Sequence, residues 1–254
     1  MRKLILATGS DEKYLPKIQN YLKSIENNSN FDLNLLIFLS DSDYKYNSDK
    51  IVTLKMEPSN FVDRTEINCL QHGEFIKSNG FDDLVNDDDI IFYTDGDIIL
   101  QRNINDKELK KYMSINHDDV VIGYNESPND NLKNEYNRIL ATKTEPYEKM
   151  AEYEKIKCYN TGVIGMTKKT WRKLMELYSP LFPNVNKLFQ YYAKQQWLIC
   201  YILGTEGFNI IEMDYDEHNH LHFKSPICTT INEKRDVYYN NNLVLFKHAW
   251  EKNR

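Results

Sequence analysis

Asp89-Ile-Ile-Phe-Tyr-Thr-Asp-Gly-Asp-Ile-Ile-Leu100 is the segment on which the reading of this chain turns. Ile90 to Tyr93 form an unbroken run of β-branched and aromatic residues, the pattern of a strand covered on both faces. The run delivers two carboxylates, Asp95 and Asp97, on either side of Gly96, and apolar residues resume at Ile98. A strand alternates its faces, but the turn that follows can converge two side chains on one point. Two hard oxygen ligands there suit Mg²⁺ or Mn²⁺, which keep coordination positions open for phosphate oxygens. Gly96 allows backbone to approach a ligand closely. Asp and Gly are also the commonest turn formers, so Asp-x-Asp in isolation is more often an ordinary loop. The apolar frame on both sides is what a solvated loop would not have.

Working outward, regular elements alternate. Lys3 to Thr8 reads as a strand closed by Gly9 and Ser10, and Asp11 to Ile25 as a helix carrying Tyr14, Leu15, Ile18, Leu22 and Ile25 at helical spacing. Leu33 to Leu39 and Ile51 to Met56 read as strands. Thr65 to Ser78 reads as a helix with Gly80 as its C-terminal glycine. Beyond the acidic turn, Val120 to Tyr124 and Thr161 to Met166 are strands and Lys168 to Tyr178 a helix. Lys187 to Leu203 is a second helix, closed by Gly204, and Phe208 to Met213 and Leu243 to Phe246 are the last strands. Asn125 to Lys157 has no clear period and reads as a variable, partly helical insertion on the acceptor side. There is no internal repeat. The alternation predicts an α/β fold with a Rossmann-like, mostly parallel central sheet flanked by helices, and ligands bound at the carboxyl ends of its strands.

A chain of 254 residues, 41% hydrophobic, is long enough to bury one full α/β core, so a single catalytic domain over 1–254 is expected. The net charge of −6 is spread over 32 basic and 38 acidic residues without a basic, aromatic-laced stripe, which argues against nucleic acid as a partner. After Arg2 and Lys3 the apolar run Leu4 to Ala7 is too short for a secretory signal, and no segment has the length of a membrane span. A cytoplasmic protein, in reach of a membrane only peripherally, is expected. Cys69, Cys158, Cys200 and Cys228 lack the paired spacing of a zinc site and read as reduced thiols.

The acidic segment resembles the Asp-x-Asp element of GT-A glycosyltransferases, and the chain is similar to their glycogenin-like and bacterial lipopolysaccharide galactosyltransferase group. Further segments match in that group's order. Leu4-Ile-Leu-Ala-Thr8 with Asp11 and Tyr14 resembles its opening nucleotide-binding strand, which implies donor contacts from Thr8 and Tyr14. Tyr159-Asn-Thr-Gly-Val-Ile-Gly165 resembles its Asn-x-Gly-Val segment, in which Asn160 and backbone near Gly162 would meet the donor sugar. Gln195-Gln196 resembles its Asp-Gln pair, and Leu245-Phe-Lys-His-Ala-Trp250 its C-terminal elements. These imply His248 as third metal ligand beside Asp95 and Asp97, Lys247 as a diphosphate contact and Gln196 beside the reacting sugar. The resemblance spans about residues 3 to 250, with residues 1–100 as nucleotide-binding half and 101–254 as donor-sugar and acceptor half. It implies a metal-dependent glycosyltransferase taking a sugar from a nucleotide diphosphate sugar, with uridine diphosphate as carrier, Mn²⁺ or Mg²⁺ as cofactor and a glycan or other hydroxyl acceptor.

The sequence departs from the group in two places. Lys247 and His248 are adjacent, with no proline before Trp250, and Gln195 stands where the group has Asp. Retention, the outcome of the similar group, is therefore not carried over. His248 beside a tryptophan is also what a packed, hydrogen-bonded histidine looks like. His218, His220 and His222 alternate as strand residues would, and read either as part of an acceptor loop or as surface histidines, without the companions of a zinc enzyme. Arg64, ahead of a predicted helix, is either a phosphate fork or a solvated helix-start charge. Tyr191, Tyr192 and Trp197 read as core. Two rival functions remain in view: a haloacid dehalogenase-type phosphatase, whose nucleophile strand also ends in Asp-x-Asp, and a catalytically inactive sugar-binding domain. About 90 residues of α/β pattern before the acidic pair argue against the first, and the intact pair against the second.

Overall fold

Alternation along each strand sets the architecture. In β1 (Leu4–Ser10) Ile5 and Ala7 enter one core while Leu4 and Leu6 enter another. The same division runs through β2 (Leu33–Phe38), with Leu35 and Ile37 against Leu36 and Phe38, and β4 (Ile90–Thr94), with Ile91 and Tyr93 against Ile90 and Phe92. Strands buried along nearly their whole length belong inside a sheet covered on both faces. In the computed structural model, which describes residues 1–39, 43–56, 73–123, 131–134, 150–188, 194–220 and 229–248, that sheet has seven strands. With β3 (Ile51–Lys55), β6 (Asp119–Gly123), β7 (Asn160–Thr167) and β8 (Asn209–Glu212), the order is β3-β2-β1-β4-β7-β6-β8. Every strand runs the same way except β7, which is antiparallel to both β4 and β6. The mostly parallel α/β sheet expected from the sequence is the one observed.

One face is covered by α1 (Gln19–Asn28) and by Tyr112 of α3 (Asp106–Met113). On the other, Trp171 of α5 (Lys168–Leu188) packs edge-on to Phe75, which stacks on Tyr93 at 5.5 Å, and the Trp171 indole N–H donates to the Ile91 carbonyl oxygen at 3.1 Å. The indole thus buries its ring and satisfies its one donor at once. α6 (Lys194–Thr205) joins this layer. Two three-stranded sheets are also present among the described residues. β5 (Ile98–Leu100), β13 (Phe246–His248) and β9 (His218–His220) form one, and β10 (Thr229–Ile231), β11 (Val237–Tyr239) and β12 (Asn242–Leu243) the other. No described helix is long and apolar enough to cross a membrane.

Several elements differ from expectation. The helix predicted over Asp11 to Ile25 begins as a 3₁₀ turn, Leu15–Ile18, with Pro16 in its first turn, and only then becomes α1. Of the helix predicted over Thr65 to Ser78, the described part is a 3₁₀ turn, Glu74–Lys77. Gly80, with φ +80, does not end that helix but precedes α2 (Phe81–Leu84). The Asn125 to Lys157 insertion lies largely outside the described residues, apart from α4 (Met150–Tyr153) and a bridge between Asn131 and Lys157. α5 runs ten residues past Tyr178, through Pro180 and Pro183. The Leu243 to Phe246 strand divides into β12 and β13.

Gly165 of β7 lies directly across from Phe92, and a Cβ there would stand 2.6 to 2.7 Å from the ring. Gly165→Ala is expected to destabilise the fold by about 1–3 kcal/mol through overpacking. A denaturant midpoint unchanged from that of the unaltered chain would contradict this packing.

Candidate functional site

Because β7 runs against β4, its first residues lie where β4 ends. Thr94 pairs with Val163, and the next backbone N–H, of Asp95, donates to the Gly162 carbonyl oxygen at 2.9 Å. The chain then turns through Gly96 and Asp97, closed by Ile98 N–H donating to the Asp95 carbonyl oxygen at 3.1 Å, and enters β5. Gly96 is held against α1's approach: a Cβ there would lie 2.5 Å from Ile18 Cγ2 and 3.2 Å from Tyr14 Cε1. Glycine in the acidic turn therefore answers to packing as well as to bending.

Gly162 marks the centre of the site. A Cβ on it would stand 2.8 Å from His248 Cε1, 2.9 Å from Asn160 Oδ1 and 3.3 Å from Asp95 Oδ2. Three polar side chains from β7, β13 and the end of β4 thus converge on one bare backbone position. Asn160 is fixed by accepting the Gly162 N–H on its Oδ1 at 2.8 Å.

His248 arrives from the far end of the chain. β13 is antiparallel to β5 in a register that sets His248 across from Ile98. Gln101 and Arg102, which follow β5, hold the approach: the Gln101 amide donates to the Val237 and Val244 carbonyl oxygens and accepts the Val237 N–H, while Arg102 donates to the Leu243 carbonyl oxygen and forks onto Glu108. His248 Nε2 then lies 3.3 Å from Asp97 Oδ1, the side chains 11% and 26% exposed. Burial alone would raise the Asp97 carboxyl, but the charge and hydrogen bond of His248 hold it below the ordinary carboxylate value. Asp95, Asp97 and His248 are the side chains here that could hold a cation. Among the described residues no three His, Cys, Asp or Glu side chains are arranged to hold one as they stand.

Two expected ligand contacts are placed elsewhere. Lys247 alternates with His248 along β13, and strand geometry sends neighbouring side chains to opposite faces. Its ammonium is buried and donates to the Arg235 carbonyl oxygen at 3.1 Å, away from the acidic turn, so adjacency in sequence separates the two in space. Thr8 is wholly buried and donates its hydroxyl to the Thr94 carbonyl oxygen at 2.9 Å; it underlies the site instead of lining it. Tyr14 is half-buried with its ring beside Gly96, and Gln196 is half-buried with its Oε1 facing the Thr161 N–H at 3.4 Å. Arg64, Tyr191, Tyr192, His222, Cys69, Cys228 and Trp250 lie outside the described residues. Trp197 is core, stacked on Tyr201, and Cys158 and Cys200 are buried thiols in no disulfide, all as expected.

His218 is neither a surface nor a loop histidine. β9 runs parallel to β13, with His218 paired to Phe246 and His220 to His248. The His218 ring is wholly buried, 5.8 Å from that of His248, and its Nδ1 would lie 2.6 Å from a Cβ on Gly123. Gly123, at a bulge in β6, pairs with Asn160, so this imidazole is wedged under both edges of the site. The sequence carried one signal of it, the two-residue alternation of a strand, but none of its burial. Gln101, and the reach of Arg102 to Leu243, carried no signal, since these partners are more than 100 residues away.

Burial, then the charge of His248, holds the His218 imidazole well below its ordinary value. The unfolded chain takes up a proton there as pH falls through about 6.5 and the folded chain does not. Its contribution is therefore intact above that pH and lost below it, at up to about 1.4 kcal/mol per pH unit. Urea unfolding at pH 7 and pH 5 is expected to show this slope, and His218→Asn to reduce it by up to one proton. Equal slopes in both proteins would refute a neutral, buried His218.

No protein-family model and no curated protein matches the sequence. Solved structures match almost the whole chain. The galactosyltransferase LgtC in complex with donor and acceptor sugar analogues superposes with a TM-score of 0.59 at 13% identity, over 98% of this chain and 87% of that one. An active-site mutant of LgtC gives 0.60 at 12% identity over the same shares. With its sheet order, its single reversed strand and an acidic turn at the end of the central strand, the chain has the GT-A fold of these glycosyltransferases.

Proposed function

We propose that the protein is a metal-dependent glycosyltransferase that moves a sugar from a nucleotide diphosphate sugar, with uridine diphosphate as carrier, to the hydroxyl of a glycan or other acceptor. The observation that carries this reading is the convergence of Asp95, His248 and Asn160 on Gly162, with Asp97 on His248, at the carboxyl ends of the sheet. That is where an open α/β sheet takes its ligands. Two carboxylates and an imidazole are a donor set that Mn²⁺ accepts, and Mg²⁺ through the carboxylates. The ion, when bound, supplies positive charge where the leaving diphosphate becomes negative.

The remaining roles belong to the chain. His248 and Asp97, with Nε2 and Oδ1 3.3 Å apart, would face the cation as neighbouring ligands. Asn160, held by the Gly162 N–H, and the bare backbone of Gly162 would receive the sugar, since a side chain at 162 would fill that space. Gln196 would flank the reacting carbon. One of the LgtC structures is of an active-site mutant in which glutamine is replaced by glutamate, and Gln196 is the glutamine tied to the first residues of β7. In the retaining course the bond from the sugar carbon to the phosphate oxygen breaks, the acceptor oxygen bonds to that carbon on the same face, and the acceptor proton passes to the departing phosphate oxygen. No side-chain base is then required.

Calorimetry with uridine and guanosine diphosphates, with and without Mn²⁺, tests this reading on the unaltered chain and on Asp97→Ala. Binding is expected to need Mn²⁺ and to weaken by at least about 10²-fold in the variant, since even groups that only support metal ligands are worth about 10–100-fold. Absence of nucleotide binding, with phosphate released from small esters, would replace the transferase by the phosphatase reading; neither property would leave an inactive domain.

A further inference from the structure

The ladder between β1 and β4 ends early. β1 pairs with β2 as far as Ser10 and Phe38, but with β4 only as far as Ala7 and Tyr93. There β4 leaves the sheet for the acidic turn, and the Thr94 carbonyl oxygen is met not by a backbone N–H of β1 but by a side chain, Thr8 Oγ1, at 2.9 Å. The N–H of that same peptide group, on Asp95, donates to the Gly162 carbonyl oxygen of β7 at 2.9 Å. The peptide joining Thr94 to Asp95 is therefore gripped at its oxygen from one neighbouring strand and at its nitrogen from the other. Thr8 and Thr94 are wholly buried, so water has no access to replace the hydroxyl. A second hydroxyl, of Tyr21 on α1, bonds the Thr94 side chain and also reaches the Thr8 hydroxyl, but makes no bond to this peptide.

We propose that Thr8 is a positioning residue: its buried hydroxyl fixes the Thr94–Asp95 peptide plane and, through it, the direction in which the Asp95 carboxylate leaves the strand. The inference rests on Asp95 as a ligand to the cation of the proposed function. Rotation of a peptide plane swings the following Cα–Cβ bond, and a metal or substrate site tolerates displacements of only about 0.5 Å. Threonine fits where it stands because its methyl joins the apolar interior while its hydroxyl reaches past the end of the ladder. Valine would keep the shape and lose the grip.

The test compares Thr8→Val, Thr8→Ser and Tyr21→Phe in the full chain by three measurements: exchange of the Asp95 amide followed by NMR, uridine diphosphate affinity in Mn²⁺, and the unfolding midpoint. Thr8→Val is expected to speed Asp95 amide exchange at least about tenfold and to weaken Mn²⁺-supported binding by about 10–100-fold, the range for groups that orient metal ligands. Thr8→Ser is expected to stay close to the unaltered chain on both. Tyr21→Phe, which removes a neighbour of Thr8 but leaves its hydroxyl on the Thr94 carbonyl oxygen, is expected to lower the midpoint while staying closer to the unaltered chain than Thr8→Val in both exchange and affinity. The proposal is overturned if Thr8→Val matches the unaltered chain in exchange and affinity, or if Tyr21→Phe reproduces its losses, which would make them general loosening. Should valine prevent folding, Thr8→Ala takes its place. Should the unaltered chain bind no nucleotide with Mn²⁺, the functional reading falls separately, and Asp95 exchange alone decides the role of Thr8.

Discussion

Antiparallel pairing of β7 with β4 is the constraint on which the site depends. In a wholly parallel sheet the carboxyl end of β4 would be flanked by the carboxyl ends of its neighbours. Reversal of one strand instead sets the start of β7, Asn160 to Gly162, beside Asp95, so that a carboxylate, an amide side chain and a bare backbone position share one edge. The reversal also leaves the Asp95 N–H a partner in Gly162 at the point where the ladder on the β1 side has already ended. Two neighbours that run in opposite senses thus define the end of the strand that carries the acidic turn.

Close approach is the second organising feature. At Gly96, Gly123 and Gly162 an added Cβ would come within 3 Å of another residue, and in each case the intruded group is part of the site or holds it. At Gly96 the neighbours are Ile18 and Tyr14, at Gly123 His218, and at Gly162 His248 and Asn160. Three of the nine glycines of the chain therefore stand at this edge of the central sheet. The reason is steric: three strands and a helix can bring polar ends to one point only if some backbone between them carries no side chain.

Electrostatics at this edge follows from the same crowding. His248 lies close enough to Asp97 to hold that carboxyl below its ordinary value, while His218, 5.8 Å from His248 and without access to solvent, is kept neutral. Two imidazoles near one another cannot both carry charge cheaply in a buried setting, so their environments divide the roles. The one beneath Gly123 is enclosed and held neutral.

What the sequence determined by itself was local and periodic. Unbroken apolar runs identified β1, β2 and β4 as strands covered on both faces, and their alternation with helices identified a mostly parallel sheet. The apolar frame around Asp95-Gly-Asp97 set that pair at a strand end. Each of these readings depends on neighbours within a few residues, where spacing maps directly onto geometry. What only the tertiary structure decided was direction and face. A strand's residues do not encode whether it runs with or against its neighbour, so the reversal of β7, and with it the meeting of Asn160 and Gly162 with Asp95, was not legible. Nor was the division of Lys247 from His248, because period-two alternation sends adjacent residues apart only once β13 is known to be a strand at both positions. His218 and Thr8 show the same limit in burial. A histidine and a threonine look like candidates for ligand contact in sequence, yet packing from β6 and β4 enclosed them, because burial is set by what the rest of the chain brings to a residue and not by the residue itself.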